Sequence, residues 1–127
     1  MKAKTITLIS AWCSILNKAA LGAPPPGLLP PSSDPFYQPP NGYETEGPGT
    51  ILKVRQMSNF PELLGANQKI EAYYQMLYRT TDSLGNATAT VTSVLVPYNA
   101  NMSQVLNYQS AEDTTYINCA PSHAIQL

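Results

Sequence analysis

Catalytic side chains are scarce in this chain, and each scarcity excludes a class of chemistry. There is one histidine, His123, which cannot anchor a zinc site without further ligands. With Cys119 it makes a Cys-x3-His pair, half a metal site at best. No Gly-x-Ser-x-Gly nucleophile elbow occurs anywhere. No glycine-rich phosphate loop occurs either, since Gly47-Pro48-Gly49 puts a proline where free amides are needed. Nothing in the sequence calls for a cofactor or a metal. Charge is equally spare: seven basic and eight acidic residues leave a net of −1. That excludes a basic stripe for nucleic acid and a polybasic patch for a membrane surface. No apolar run approaches the about 20 residues that span a bilayer, so no integral membrane span is expected.

What is present begins with a leader. Lys2 and Lys4 precede an uncharged, mostly apolar run from Ile6 to Leu16, and Ala20-Leu21-Gly22 places small residues for cleavage after Gly22. This layout reads as a secretory signal peptide over residues 1–22. Asn86-Ala87-Thr88 and Asn101-Met102-Ser103 are N-glycosylation acceptors in polar, turn-like sequence, in keeping with a secreted, extracellular product. Cys13 lies in the leader, leaving Cys119 as the one thiol of the mature chain. In an oxidising compartment an odd cysteine implies a partner elsewhere, an intermolecular bond or a reactive thiol. A partner downstream of residue 127 is the favoured expectation.

Residues 23–49 hold nine of the twelve prolines, a composition that favours extended backbone and reads as an arm. Within it Asp34-Pro35-Phe36-Tyr37 carries two aromatics, expected to anchor on a folded body. Glu46-Gly47-Pro48-Gly49 reads as the turn that ends the arm. From Thr50 the pattern becomes strand-like. Thr50–Met57 is rich in branched residues, and Pro61 is placed to open a short helix. Ile70–Thr80 alternates, with Ala72, Tyr74, Met76 and Tyr78 on one face and Tyr73, Gln75, Leu77 and Arg79 on the other. Ala87–Val96 follows the turn-rich residues 82–86, which predicts a hairpin with a loop of about five residues. Val105–Tyr108 is expected to form a further short strand that delivers the polar pair Glu112-Asp113 to a loop. No helical periodicity lasts two turns, so the sheet lacks amphipathic helices to cover both faces. The chain is therefore expected to need the remainder of a longer protein for folding.

In their order and spacing, Asp34-Pro35-Phe36-Tyr37, Tyr78-Arg79-Thr80-Thr81, Val96-Pro97, Tyr108-Gln109…Glu112-Asp113 and Cys119-Ala120-Pro121-Ser122 resemble the N-terminal part of the fungal secretory lipases, the Candida antarctica lipase A-like triacylglycerol lipases. The resemblance runs from about Asp34 to Ser122. It implies an α/β-hydrolase fold, of which this chain holds the N-terminal strands and is mostly β, and a Ser-Asp-His triad acting on triacylglycerols and other esters at a lipid interface. It implies that Asp113 helps form the oxyanion hole, that Glu112 is solvated, and that Cys119 bonds to a much later cysteine. Ala111 stands where relatives carry an aromatic, and His123 where a tyrosine is expected. The resemblance implies that the nucleophile elbow, catalytic acid, catalytic histidine and lid all lie beyond Leu127, with no triad in this chain. The expected organisation is a signal peptide (1–22), a proline-rich arm (23–49) and the N-terminal part of a lipase domain (50–127) that stops before the catalytic serine. The competing reading is a small secreted, glycosylated, β-rich binding module without catalysis. A third is the inactive product of a degraded lipase gene.

Overall fold

A computed structural model describes residues 28–58, 69–110 and 114–126. The expected leader, the short helix at Pro61 and the Glu112-Asp113 pair lie outside them. The described residues form a three-stranded antiparallel sheet in the order β1-β2-β3, with β1 at Ile51–Gln56, β2 at Ile70–Thr81 and β3 at Ala87–Pro97. Three short 3-10 turns, η1 (Pro35–Tyr37), η2 (Tyr43–Thr45) and η3 (Ile117–Cys119), and one helical turn, α1 (Pro121–Ala124), complete it. Among the described residues no helix is long and apolar enough to cross a membrane.

The hairpin matches the sequence pattern closely. β2 and β3 pair from Ala72↔Val96 to Thr81↔Ala87, and residues 82–86 form the connection. Asp82 organises that loop, its carboxylate accepting from the Leu84 and Asn86 amides at 2.9 and 2.8 Å and from Asn86 Nδ2 at 3.0 Å. Those bonds, led by the one from the Asn86 side chain, hold the Asp82 carboxyl below its usual range. Gly85 sits at φ 88°, a left-handed conformation that penalises any residue with a Cβ. At the same end of β2, next to the hairpin loop, Gly49 (φ 89°) donates to the Arg79 carbonyl at 2.8 Å, and the Arg79 amide donates a 2.9 Å bond to the Thr50 carbonyl. The turn at residues 47–50 thus closes the arm against β2 as the sequence suggests.

Register sorts the side chains into two faces, because residues directly opposite in an antiparallel pair point the same way. Lys53, Arg55, Tyr73, Gln75, Leu77, Ser93 and Leu95 share one face. Tyr73, Gln75 and Leu77 on it are fully buried. The cover is not a helical layer but the proline-rich arm, with Pro31 among the most buried side chains, together with η3 and α1. Val54, Tyr74, Met76, Thr92 and Val94 share the opposite face, where Val54 stays 53% exposed and the β2 residues are only half-buried. Of the two covering layers expected to be needed, the described residues supply one, built from the proline-rich arm with η3 and α1.

One expected strand is not formed. Residues 104–110 have no regular secondary structure, and Val105 and Leu106 are 94% and 95% exposed. A strand is defined by a partner that supplies ladder bonds, and two successive turns intervene here. Ala100 bonds to the Pro97 carbonyl, Asn99 adopts φ 58°, and Gln104 bonds to the Asn101 carbonyl. These turns carry the chain away from the edge of β3.

Candidate functional site

Arg55 organises the buried polar groups of the covered face. It projects from β1 next to Gln75 of β2, its direct cross-strand neighbour. Gln75 Oε1 accepts from Arg55 Nε at 2.9 Å and from Nη2 at 2.6 Å. The same Nη2 meets Asp34 Oδ2 at 2.7 Å, with the Asp34 side chain 8% and the Arg55 side chain 29% exposed. The guanidinium carbon also lies 4.2 Å from the centroid of the Phe36 ring, within cation–π range. Phe36 meets Tyr37 edge to face, with centroids 6.2 Å apart and planes at 82°. Asp34 meanwhile caps η1, its Oδ1 accepting from the Phe36 amide at 2.9 Å. One arginine therefore meets Asp34 and the Phe36 ring of the Asp34-Pro35-Phe36-Tyr37 motif. Lys53, two residues earlier on the same face, reinforces it by donating to the Pro35 and Gln38 carbonyls at 2.8 and 2.6 Å.

The arm and this strand pair receive the C-terminal segment. Gln75 Nε2 donates to the Ser122 carbonyl at 2.6 Å in a fully buried bond. Tyr37 Oη and Ser122 Oγ lie 3.0 Å apart, and Ser32 donates its amide to Asn118 Oδ1 at 2.8 Å. Asn118 is fixed in turn by a 2.9 Å bond from its Nδ2 to Tyr116 Oη. Burial raises the Tyr37 hydroxyl above its ordinary value, so it remains a neutral phenol. Each amide function of Gln75 is engaged, which is what permits an uncharged polar side chain at the centre of a core.

His123 is buried in α1 at 7% exposure. Burial lowers its pKa; Asp34 opposes that shift and Arg55 adds to it. Its imidazole is thus neutral at pH 7. Ser122, His123 and Asp34 come together without making a triad. Asp34 is paired with Arg55, Ser122 Oγ with Tyr37, and no hydrogen bond joins the serine to the histidine. Among the described residues no three His, Cys, Asp or Glu side chains cluster as a metal site would require. The buried cluster is a clamp rather than a catalytic centre.

The sequence-based candidates fall into three groups. Asp113 and Glu112 lie outside the described residues. The clamp fixes the chain that follows them, through Asn118 and Ser122. Cys119 is half-buried at the end of η3 and is not a free thiol. Asn86 and Asn101 are exposed, one in the hairpin loop and one in the turns beyond β3. Sequence reasoning identified the arm motif as an anchor but not its receptors, Arg55 and Gln75. A signal existed: both are long polar residues on strand positions whose neighbours on the same face, Tyr73 and Leu77, are apolar.

The chain is similar to several fungal lipases. It is 55% identical over 101 residues to Lipase A of Arthroderma benhamiae, a match covering 78% of this chain and 21% of that protein. It is 39% identical over 124 residues to Lipase 10 of Candida albicans, covering 98% of this chain and 26% of the relative. Against a secreted triacylglycerol lipase of Malassezia globosa it is 46% identical over 97 residues, 76% of this chain and 21% of that one. The matches thus span 21% to 26% of the length of these three curated relatives. No family model and no solved structure matches the chain.

Proposed function

This chain belongs to the fungal secretory lipase family, and on that premise we propose that it is the N-terminal part of a secreted triacylglycerol lipase, a serine carboxylic-ester hydrolase of α/β-hydrolase fold. One observation carries the reading: sequence identity to proteins named as lipases extends over 76% to 98% of this chain. The Malassezia relative is named as secreted, which supports export through the leader at residues 1–22.

In the complete enzyme a serine supplied by a later part of the protein attacks the ester carbonyl, and a histidine takes its proton. Backbone N–H groups aimed at the developing oxyanion complete the site, and the loop at Asp113 supplies part of that hole. The segment contributes no triad of its own, and alone it has no esterase activity. Its share is positional. The arm and α1, laced together by Arg55, Gln75 and Ser122, fix the chain immediately after the Asp113 loop. As the family resemblance implies, Cys119 bonds to a cysteine in the later part of the lipase. The substrate is a lipid ester met at an interface.

The test starts with the transcript beyond codon 127. An open frame running into Gly-x-Ser-x-Gly, an Asp, a His and a further cysteine supports the reading. The product of that frame should hydrolyse p-nitrophenyl esters and triacylglycerols. Asp113→Ala in it keeps the backbone N–H but removes the side chain that holds the loop, and should lower kcat by less than the roughly 10²–10³ expected for loss of a whole oxyanion donor. A stop codon there, with a stable, monomeric, glycosylated product in the medium, would replace the lipase by a binding module.

A further inference from the structure

The two N-glycosylation acceptors are alike in sequence but not in structure. At Asn86 the nitrogen that would carry the sugar is committed, donating from Nδ2 to the Asp82 carboxylate at 3.0 Å. The Asn86 amide also bonds to that carboxylate at 2.8 Å, and the Asn86 carbonyl accepts from the Asp82 amide at 3.0 Å. Thr88, whose hydroxyl completes the acceptor, stands in β3 opposite Thr80. At Asn101 the arrangement is reversed. The carbonyl end of the side chain is held, Oδ1 accepting from the Ser103 amide at 3.1 Å and from Ser103 Oγ at 2.7 Å. No hydrogen bond among the described residues engages Nδ2. The acceptor hydroxyl therefore polarises the same amide whose nitrogen is presented. The surrounding residues 101–110 are all exposed and outside any strand, leaving room for an oligosaccharide and for the transferase that delivers it.

We propose that Asn101, and not Asn86, is the N-glycosylated residue of the exported protein. The inference rests on the export reading above and goes beyond it by choosing between the two sites. The donor is a lipid-pyrophosphate-linked oligosaccharide. Asn101 Nδ2 forms a bond to the anomeric carbon of the first sugar, and the bond from that carbon to the pyrophosphate oxygen breaks. The lipid pyrophosphate leaves with the electron pair, one amide proton passes to a base on the transferase, and nothing is oxidised or reduced. The Ser103 contacts span two residues and need no tertiary packing, so the geometry is available as soon as the segment is made and persists after folding. Asn86 is withdrawn by its hairpin as soon as Asp82 closes the loop.

The experiment is expression of the full chain in a yeast, once with its own leader and once with a leader of known function. Endoglycosidase mobility shifts and peptide mass spectrometry locate the sugar. One glycan is expected, lost in Asn101→Gln and in Ser103→Ala and retained in Asn86→Gln and Thr88→Ala. Asp82→Ala frees the Asn86 nitrogen and should add a second glycan at Asn86. A glycan at Asn86 in the unaltered chain, or none on either site behind the known leader, overturns the assignment. A second site that stays empty in Asp82→Ala overturns its stated cause. If the glycan forms only behind the substituted leader, the Asn101 assignment stands and the export reading fails.

Discussion

Two segments of this protein have exchanged the behaviour their compositions suggest. Residues 28–49, proline-rich and composed like a linker, are pinned onto the sheet through Asp34, Phe36, Tyr37 and two carbonyls bound by Lys53. Residues 102–108, with Met102, Val105, Leu106 and Tyr108, expose those side chains by 83% to 95%. Apolar content did not decide which segment docked. The arm docks because groups of matching geometry face it from β1 and β2. The later segment faces no such group among the described residues. Specific reception, rather than hydrophobicity alone, sorts the two.

The contrast can be broken most forcefully at Arg55. Arg55→Ala removes the cation–π contact and leaves Asp34 buried without its partner. Breaking a buried pair costs about 3–5 kcal/mol, and the partial exposure of Arg55 places this one near 3. The amides of Ser33, Asp34, Phe36 and Tyr37 should then exchange at least about a hundredfold faster, a loss of protection measurable by hydrogen exchange. Unchanged exchange would mean the arm is held by something else. Gln75→Met is the next largest. It keeps the volume but leaves the Ser122 carbonyl only its 2.7 Å bond from Gln126 Nε2 and strands part of the Arg55 guanidinium, a cost of about 1–3 kcal/mol. It should release residues 117–126 ahead of the hairpin.

A third, smaller effect is set by pH. The folded state lowers the pKa of His123, chiefly by burial, so the unfolded state binds the proton more readily. Stability is therefore full above the ordinary histidine value of about 6.5 and falls as the pH drops below it. The C-terminal segment should loosen first on acidification. His123→Phe should flatten that part of the pH profile, and an unaltered profile would assign the acid sensitivity to other groups. The smallest effect sharpens the contrast from the other side. Val105→Asp and Leu106→Asp should change the stability of this segment by less than about 0.5 kcal/mol, as surface substitutions do.

How much of this was legible in the sequence depended on whether the cause was local. Strict alternation over Ile70–Thr80 and the turn residues at 82–86 fixed the hairpin to within a residue, since both signals act between near neighbours. The anchoring role of Phe36 and Tyr37 was legible as an anomaly of composition. Arg55 and Gln75 as receptors were not, because a strand position does not say which distant segment will lie over it. Val105–Tyr108 was misread for the same reason. Its pattern suits a strand, but a strand exists only where another edge accepts it. The oxyanion role expected of Asp113 was legible only by resemblance, and Asp113 lies outside the described residues.

The bonds from Ser32 to Asn118 and from Tyr37 to Ser122 join residues 86 and 85 positions apart. On the ribosome these two bonds must therefore wait while the intervening residues are synthesised, although the arm's contacts with Lys53 and Arg55 become available sooner. At roughly 5–20 residues per second that wait is about 4–17 s. A segment idle for so long must neither collapse onto wrong partners nor stray far from its extended form. Polyproline-like backbone meets both demands: it forms no hydrogen-bonded structure of its own and has little conformational freedom left to lose on arrival. The prolines are then a provision for delayed docking, written into a part of the chain that is made before any of the groups that receive it.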